Sequence, residues 1–255
     1  MRAHATTAAL IEAASAPYWK TDFFGYFKAR GKLRGDPAFA GILREGLLTG
    51  MERILDLGCG QGLLAAWLEA AQRRNDERPH EWPQEWPAPP RPISFRGIEL
   101  QARDVWRARL ALGERAEFEV GNITDADFGS VDAIIILDVL HYLDQQAQLR
   151  VLDHARAALS AEGILLLRVG DAGSGIRFIV GQCIDWTVLV ARYRRTPRMY
   201  WRPVPEWQQL LTSMGFRSEA LPMSAGTPFA NTLLIARPHQ IASQPRTLTD
   251  SLTAQ

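Results

Sequence analysis

Polar and apolar positions change period in a regular order along the chain. Short runs rich in apolar residues lie at 54–57, 93–98, 116–120, 131–137 and 164–169. Runs this apolar suit strands covered on both faces. Between them come segments with apolar residues at helical spacing, one from about Gly62 to Arg73 and another from about Asp144 to Ala158, with Ala147, Val151, Leu152 and Ala155 on one side. Strand alternating with helix predicts a parallel, doubly wound sheet. Two further runs, Phe216 to Leu221 and Asn231 to Ala236, are joined only by a short polar link containing Gly and Pro. That link is too short for a helical crossover, so the two strands must pair antiparallel. The pattern predicts an α/β fold with a seven-stranded sheet that ends in an antiparallel hairpin.

Residues 1–51 read as an N-terminal helical cap on a main domain at 52–238. Met1 to Ala16 reads as a helix, because Glu12 interrupts the apolar run that a secretory signal needs. Prolines exclude regular helix or central strand from much of 74–92, which reads as an inserted loop. Residues 174–202 begin with apolar side chains around most of a helix and read as a buried lid. Its longest apolar stretch, Phe178 to Ala191, contains Gln182 and Asp185 and falls short of the roughly 20 residues of a membrane span. The tail, 239–255, is polar and expected to be disordered.

The 255 residues can bury one α/β core, and a formal charge of +1 gives no reason to expect nucleic-acid binding. Cys59 and Cys183 form neither a disulfide framework nor a metal quartet, which fits a reducing, cytoplasmic setting.

The most specific motif is Ile54-Leu55-Asp56-Leu57-Gly58-Cys59-Gly60-Gln61-Gly62, where a strand ends in an acid and opens into glycines at every second position. Lacking Cβ atoms, such glycines let the backbone turn sharply and approach a ligand at the start of a helix. The dinucleotide fingerprint sets its last glycine one position later. The spacing here resembles the first motif of class I S-adenosylmethionine-dependent methyltransferases, and the C-terminal hairpin is similar to their strands six and seven. The resemblance runs from about Arg53 to Pro238 and implies a Rossmann-like sheet with S-adenosylmethionine as cofactor.

Carried onto this chain, the resemblance implies that Asp56 helps to hold the methionine ammonium and that the loop Gly58, Cys59, Gly60, Gln61 and Gly62 lies against the cofactor. Glu99, with Leu100 beside it, takes the position that accepts the ribose hydroxyls. It comes 41 residues after Gly58 rather than about 20, an excess matched by the Pro-rich insertion. Asn122, with the backbone of Ile123, stands where many relatives carry an aspartate for the adenine amino group. Asp138 to Leu143 resembles the fourth motif, which lines the methionine end and faces the acceptor. Asp138 is therefore a cofactor and catalytic candidate, although Asp is also a common helix cap.

Methyl transfer from a sulfonium requires alignment in a dry pocket, and a base where the acceptor starts protonated. His141 is the candidate base, the alternative being a histidine that braces the site. Aromatic residues of the cap, the fourth motif and the lid segment, among them Tyr18, Trp19, Tyr142 and Tyr200, are candidates to line an acceptor pocket for a flat ring or an acyl chain, against ordinary core packing. A metal-assisted route would draw on Asp138 and Asp171, but the Asp-Asn pair of catechol-type enzymes is missing, so no metal is expected. Arg192, Arg194, Arg195, Arg198 and Arg202 form a positive cluster, read either as a solvated face or as a dock for a carboxylate or an acidic carrier protein.

Tyr18-Trp19, Gly31 to Pro37, Asp138 to Leu143 and Phe229 to Ala236 together resemble methyltransferases of bacterial aryl-polyene (xanthomonadin-type) pigment clusters. That narrower resemblance implies a 4-hydroxyphenyl acceptor, free or carrier-bound. A generic small-molecule O-methyltransferase and a non-catalytic cofactor-binding relative are the alternatives.

Overall fold

The computed structural model describes residues 2–173, 198–227 and 229–239. Its seven strands are β1 (Arg53–Leu57), β2 (Ser94–Glu99), β3 (Glu117–Val120), β4 (Val131–Leu137), β5 (Leu159–Gly170), β6 (Phe216–Pro222) and β7 (Asn231–Pro238), in the spatial order β3-β2-β1-β4-β5-β7-β6. Pairs among β1 to β5 are parallel, while β7 runs antiparallel to both β5 and β6. This is the expected sheet with its closing hairpin.

The helices are α1 (Arg2–Ser15), α2 (Phe23–Gly35), α3 (Pro37–Arg44), α4 (Leu63–Glu77), α5 (Ala102–Leu112), α6 (Gln145–Ala158) and α7 (Val204–Ser213). On one sheet face Leu10, Tyr18, Phe39 and Trp67 share a core with Ile54, Ala133 and Leu166. Leu55, Ile134, Val151, Leu165 and Trp207 fill the other face. The N-terminal helices thus contribute to the domain's own core. Asp36 starts α3, its carboxylate accepting from Ala38 N at 3.0 Å, with Pro37 in the first turn where its fixed φ suits a helix.

Helix α4 continues to Glu77, past the expected end near Arg73, and the Pro-rich stretch that follows is irregular backbone held in place by side-chain contacts. Trp82 and Trp86 are buried against each other edge to face, and Trp82 Nε1 donates to Pro87 O at 3.0 Å. Thr6 on α1 donates to Glu81 O at 3.2 Å. Proline forbids ladder hydrogen bonds but not burial, and two indoles supply apolar area to bury. Strand β5 also begins earlier than its apolar run, at Leu159. Residues 174–197 of the expected lid and 240–255 of the expected tail lie outside the described residues.

Candidate functional site

The glycine loop leaves β1 with Gly58, Gly60 and Gly62 all at positive φ, 74°, 56° and 76°. A Cβ on Gly58 would collide with Val139, and one on Gly62 would meet Phe118 Cζ at 2.7 Å. Those two glycines are required by close packing. Gly60 differs, since a Cβ there would meet nothing within 4 Å among the described residues. Its φ demands glycine while its open face leaves room for a ligand. The loop is stitched to β2, with Gly58 N and Cys59 N donating to Ile98 O at 2.8 and 3.2 Å. Glu99, next along β2, accepts from Gly60 N at 3.0 Å and from Gln101 N at 2.8 Å. Its carboxylate is therefore oriented by the backbone at the edge of the loop.

Helix α2 is fastened to this region at three places. Gln61 Nε2 donates to Gly25 O at 2.9 Å. Asp22 and Lys28 reach α5, where Arg107 Nη2 lies 2.9 Å from Asp22 Oδ2, and Lys28 Nζ lies 2.9 Å from Asp104 Oδ2. Near its other end Lys32 pairs with Asp36 at 2.9 Å and Asp138 at 3.4 Å. Tyr18 adds a fourth tie, its fully buried hydroxyl donating to Gln61 O at 2.7 Å. Tyr18 therefore braces the glycine loop from behind, while Trp19, stacked on Tyr26 at 3.8 Å, is exposed on the outside of the cap.

Asp138, one residue beyond β4, has φ 61°, the only positive φ outside glycine among the described residues. A left-handed non-glycine costs about 1–2 kcal/mol. What holds it is Arg168 of β5, whose Nε donates to Asp138 Oδ1 at 2.8 Å and whose Nη2 meets Oδ2. The same guanidinium pairs with Asp36, Nη2 to Oδ2 at 2.7 Å. Burial opposes charge on Asp138, yet Arg168 and Lys32 outweigh it and hold the carboxyl below its usual range. Asp138 is not a helix cap, because α6 is capped by Asp144. Asp56 contrasts with it: buried and facing the charge of Glu99, its carboxyl is pushed up to about 7. Burial likewise pushes the Cys59 thiol well up, which leaves it unreactive.

His141 sits in the turn after β4, buried, with its ring stacked on Trp201 at 4.1 Å and 10° and tilted against Tyr142 at 4.0 Å. Its Nε2 has no hydrogen-bond partner among the described residues. Burial pushes its pKa down to about 4 despite the Asp138 carboxylate, so the ring is neutral at physiological pH. Gln148 of α6 holds this turn, its Nε2 lying 3.0 to 3.1 Å from Leu140 O, Leu143 O and Tyr200 O. Tyr200 N donates to His141 O at 2.8 Å, so residues 200–201 form the wall beside the histidine.

The remaining candidates are spread around this centre. Ile123 is buried, whereas Asn122 and Leu100 are exposed. The amide of Asn122 is already engaged, its oxygen accepting from Thr124 N at 3.2 Å and its nitrogen donating to Asp125 at 3.1 Å. Tyr142 is exposed beside His141, and Tyr200 lies under Arg198, 5.7 Å from its ring centroid. Arg198, Tyr200 and Trp201 line a surface cleft of about 620 Å³ with Asp144, Gln145, Gln146 and Met199. Arg202 turns away to Gln148, 3.1 Å distant, and Arg192, Arg194 and Arg195 lie outside the described residues. Asp171 accepts from Gly173 N and Val204 N, and no group of three metal-ligating side chains is arranged for a metal among the described residues. No described helix is long and apolar enough to cross a membrane.

The sequence reading missed Lys32, Asp36, Arg168, Gln148 and Trp201. One signal was present: Arg168 interrupts Ile164-Leu165-Leu166-Leu167, and a charge inside a buried strand requires a buried partner of opposite sign.

An open glycine face, an oriented carboxylate at β2 and acids at the ends of β1 and β4 suit a ligand with two ribose hydroxyls and a cationic amino-acid end. Residues 55–165 match the family model described as a methyltransferase domain. No curated protein matches the chain. Among solved structures it resembles an O-methyltransferase family protein from Burkholderia thailandensis, with a TM-score of 0.61 and 20% identity over 84% of this chain and 59% of that one. It also resembles the magnesium protoporphyrin IX methyltransferase of Synechocystis PCC 6803 with bound SAH, with a TM-score of 0.55 and 19% identity over 85% and 88% of the two chains. A third is an O-methyltransferase from neocarzinostatin biosynthesis in complex with S-adenosylmethionine and 2-hydroxy-5-methyl naphthoic acid, with a TM-score of 0.54 and 20% identity over 83% and 55%. The chain thus spans less than two thirds of the length of the first and third of these. The fold is the class I methyltransferase fold, and within it residues 55–165 are the stretch that matches the methyltransferase-domain model.

Proposed function

We propose that the chain binds S-adenosylmethionine and transfers its methyl group to the hydroxyl of a small aromatic acceptor. The observation that carries this reading is His141: a buried, neutral imidazole whose Nε2 has no hydrogen-bond partner among the described residues, stacked on Trp201 beside the β4 lip of the glycine loop.

When bound, S-adenosylmethionine supplies a methyl group on a positively charged sulfur. The chain's own residues hold it and prepare the acceptor. Glu99 would take the ribose hydroxyls, with Asp56 and Asp138 facing the cationic end. His141 Nε2 would accept the proton that the acceptor hydroxyl loses. An imidazole held at about 4 is a weak base, so it receives that proton as the new bond forms rather than ionising the acceptor beforehand. The charge that then develops on His141 is favoured by the nearby Asp138 carboxylate.

The finer reading is a 4-hydroxyphenyl head group, free or carried on a thioester, of the aryl-polyene pigment type. The aromatic pair of Trp201 and His141 suits a flat ring, and the Arg198 cleft suits a carboxylate or an acidic carrier. The naphthoic acid held by the neocarzinostatin enzyme is a hydroxylated aromatic acid of the same general kind. Mass spectrometry of 4-hydroxyphenyl acids and their thioesters after incubation with the protein and S-adenosylmethionine tests the proposal. An O-methyl product supports it, and a methyl group found only on nitrogen or aliphatic carbon excludes it.

A further inference from the structure

Helix α2 carries Lys28, Arg30, Lys32 and Arg34 and no acidic residue. Of these, Lys32 is the one that reaches the cofactor loop from the β4 side. Strands β1 and β4 are neighbours, with Asp56 opposite Ile135, and Val139 fills the space where Gly58 lacks a Cβ. Asp138 precedes Val139, and Lys32 Nζ lies 3.4 Å from its Oδ2. The ammonium of Lys32 therefore stands at the β1–β4 lip, on the other side of the loop from Glu99.

Two cations touch Asp138, and they differ in what they can still do. Arg168 is 1% exposed, with its guanidinium engaged by the carboxylates of Asp36 and Asp138. Lys32 is 47% exposed at its side chain, and two of its three donors go to Asp36 and Asp138. The third has no partner among the described residues. Burial works against the charge on Lys32, but the carboxylates of Asp138 and Asp36 outweigh it and keep the amine protonated.

We infer that Lys32 is the carboxylate-binding residue for the amino-acid end of the cofactor, supplied by the N-terminal cap from outside the matched methyltransferase domain. The inference rests on S-adenosylmethionine being the cofactor. That amino acid is a zwitterion, so a site made only of acids would repel half of it. Asp138 and Lys32, ionised side by side, present both signs at the spacing of neighbouring groups, and the cap closes over the loop by contributing one of them.

The test is calorimetric binding of S-adenosylmethionine and of its decarboxylated analogue to the wild-type protein and to Lys32→Gln, with thermal melting to show that the variant is folded. The analogue keeps the adenosine, the sulfonium and the ammonium and lacks only the carboxylate. A charge-assisted hydrogen bond of about 1.5–3 kcal/mol corresponds to a loss of about ten- to hundredfold. Lys32→Gln should weaken S-adenosylmethionine by that factor. It should leave the analogue as tightly bound as before, or more tightly, because Asp138 loses a competing cation. Lys32→Arg should restore most of the affinity. Equal losses for the two ligands, or no loss for either, would overturn the inference. Failure of the wild-type protein to bind either ligand, or S-adenosylhomocysteine, would instead remove the cofactor assignment on which it stands.

Discussion

Arg168 and Asp36, 132 residues apart, meet in a two-pronged ion pair that joins the middle sheet to the start of α3, with Nη2 2.7 Å from Oδ2. The same guanidinium fixes Asp138 in its left-handed conformation, so one buried cation ties the cap, the sheet and the β4 turn together. Breaking a buried pair from one side costs about 3–5 kcal/mol, because the partner charge stays buried. Arg168→Met should lose stability of that order in urea denaturation. Arg168→Lys should recover only part of it, since one ammonium cannot replace a fork that serves two carboxylates. A loss under about 1 kcal/mol would mean that the cap is held by other contacts.

Glu99 offers two oxygens already aligned by Gly60 N and Gln101 N. Glu99→Ala should raise the dissociation constant for S-adenosylhomocysteine by about a hundredfold or more, and Glu99→Gln by less, because an amide keeps one acceptor oxygen. Calorimetric titration of both variants checks the order. Equal affinities for Ala and Gln would separate Glu99 from the ribose.

Asp56 should make cofactor binding depend on pH. Its folded pKa, raised to about 7, lies above the ordinary 3.8, so the protonated form stabilises the free protein and that stability is lost as pH rises through 7. A cationic ligand prefers the ionised form. Affinity should therefore fall by up to about tenfold per pH unit below 7, and Asp56→Asn should flatten the dependence. A wild-type affinity constant from pH 5.5 to 8 would contradict this.

His141→Phe keeps an aromatic ring against Trp201 while removing the nitrogen acceptor. Cofactor affinity should be unchanged, and methyl transfer to a phenol should slow by about 10²–10⁴-fold. Because burial lowers the pKa of His141 to about 4, the wild-type rate should show no inflection at 6.5 from this residue. The same lowering gives stability that is present above pH 6.5 and lost as pH falls towards 4, a loss that His141→Phe should abolish.

The sheet and its closing hairpin were legible because hydrophobic periodicity and loop length are local properties, and so was the glycine loop, whose spacing is a backbone requirement. Tyr18 shows the limit: an aromatic residue before a basic helix reads as pocket lining, and only the fold sets its hydroxyl behind Gln61. The insertion was legible as a loop because proline signals irregular backbone, while the burial of Trp82 and Trp86 depends on α1 and α4 lying alongside. Arg168 inside an apolar strand signals a buried partner, but Asp36 and Lys32 were hidden for the same reason, as an ion-pair network joins residues that no sequence spacing links.

Methyl transfer itself is the most direct test. Labelled S-adenosylmethionine should be incubated with a panel of 4-hydroxyphenyl acids and thioesters, and the label located by mass spectrometry and NMR. Label on the phenolic oxygen, lost in His141→Phe, is the predicted result. Tight cofactor binding in the same preparation, with no label on any member of the panel, would contradict it.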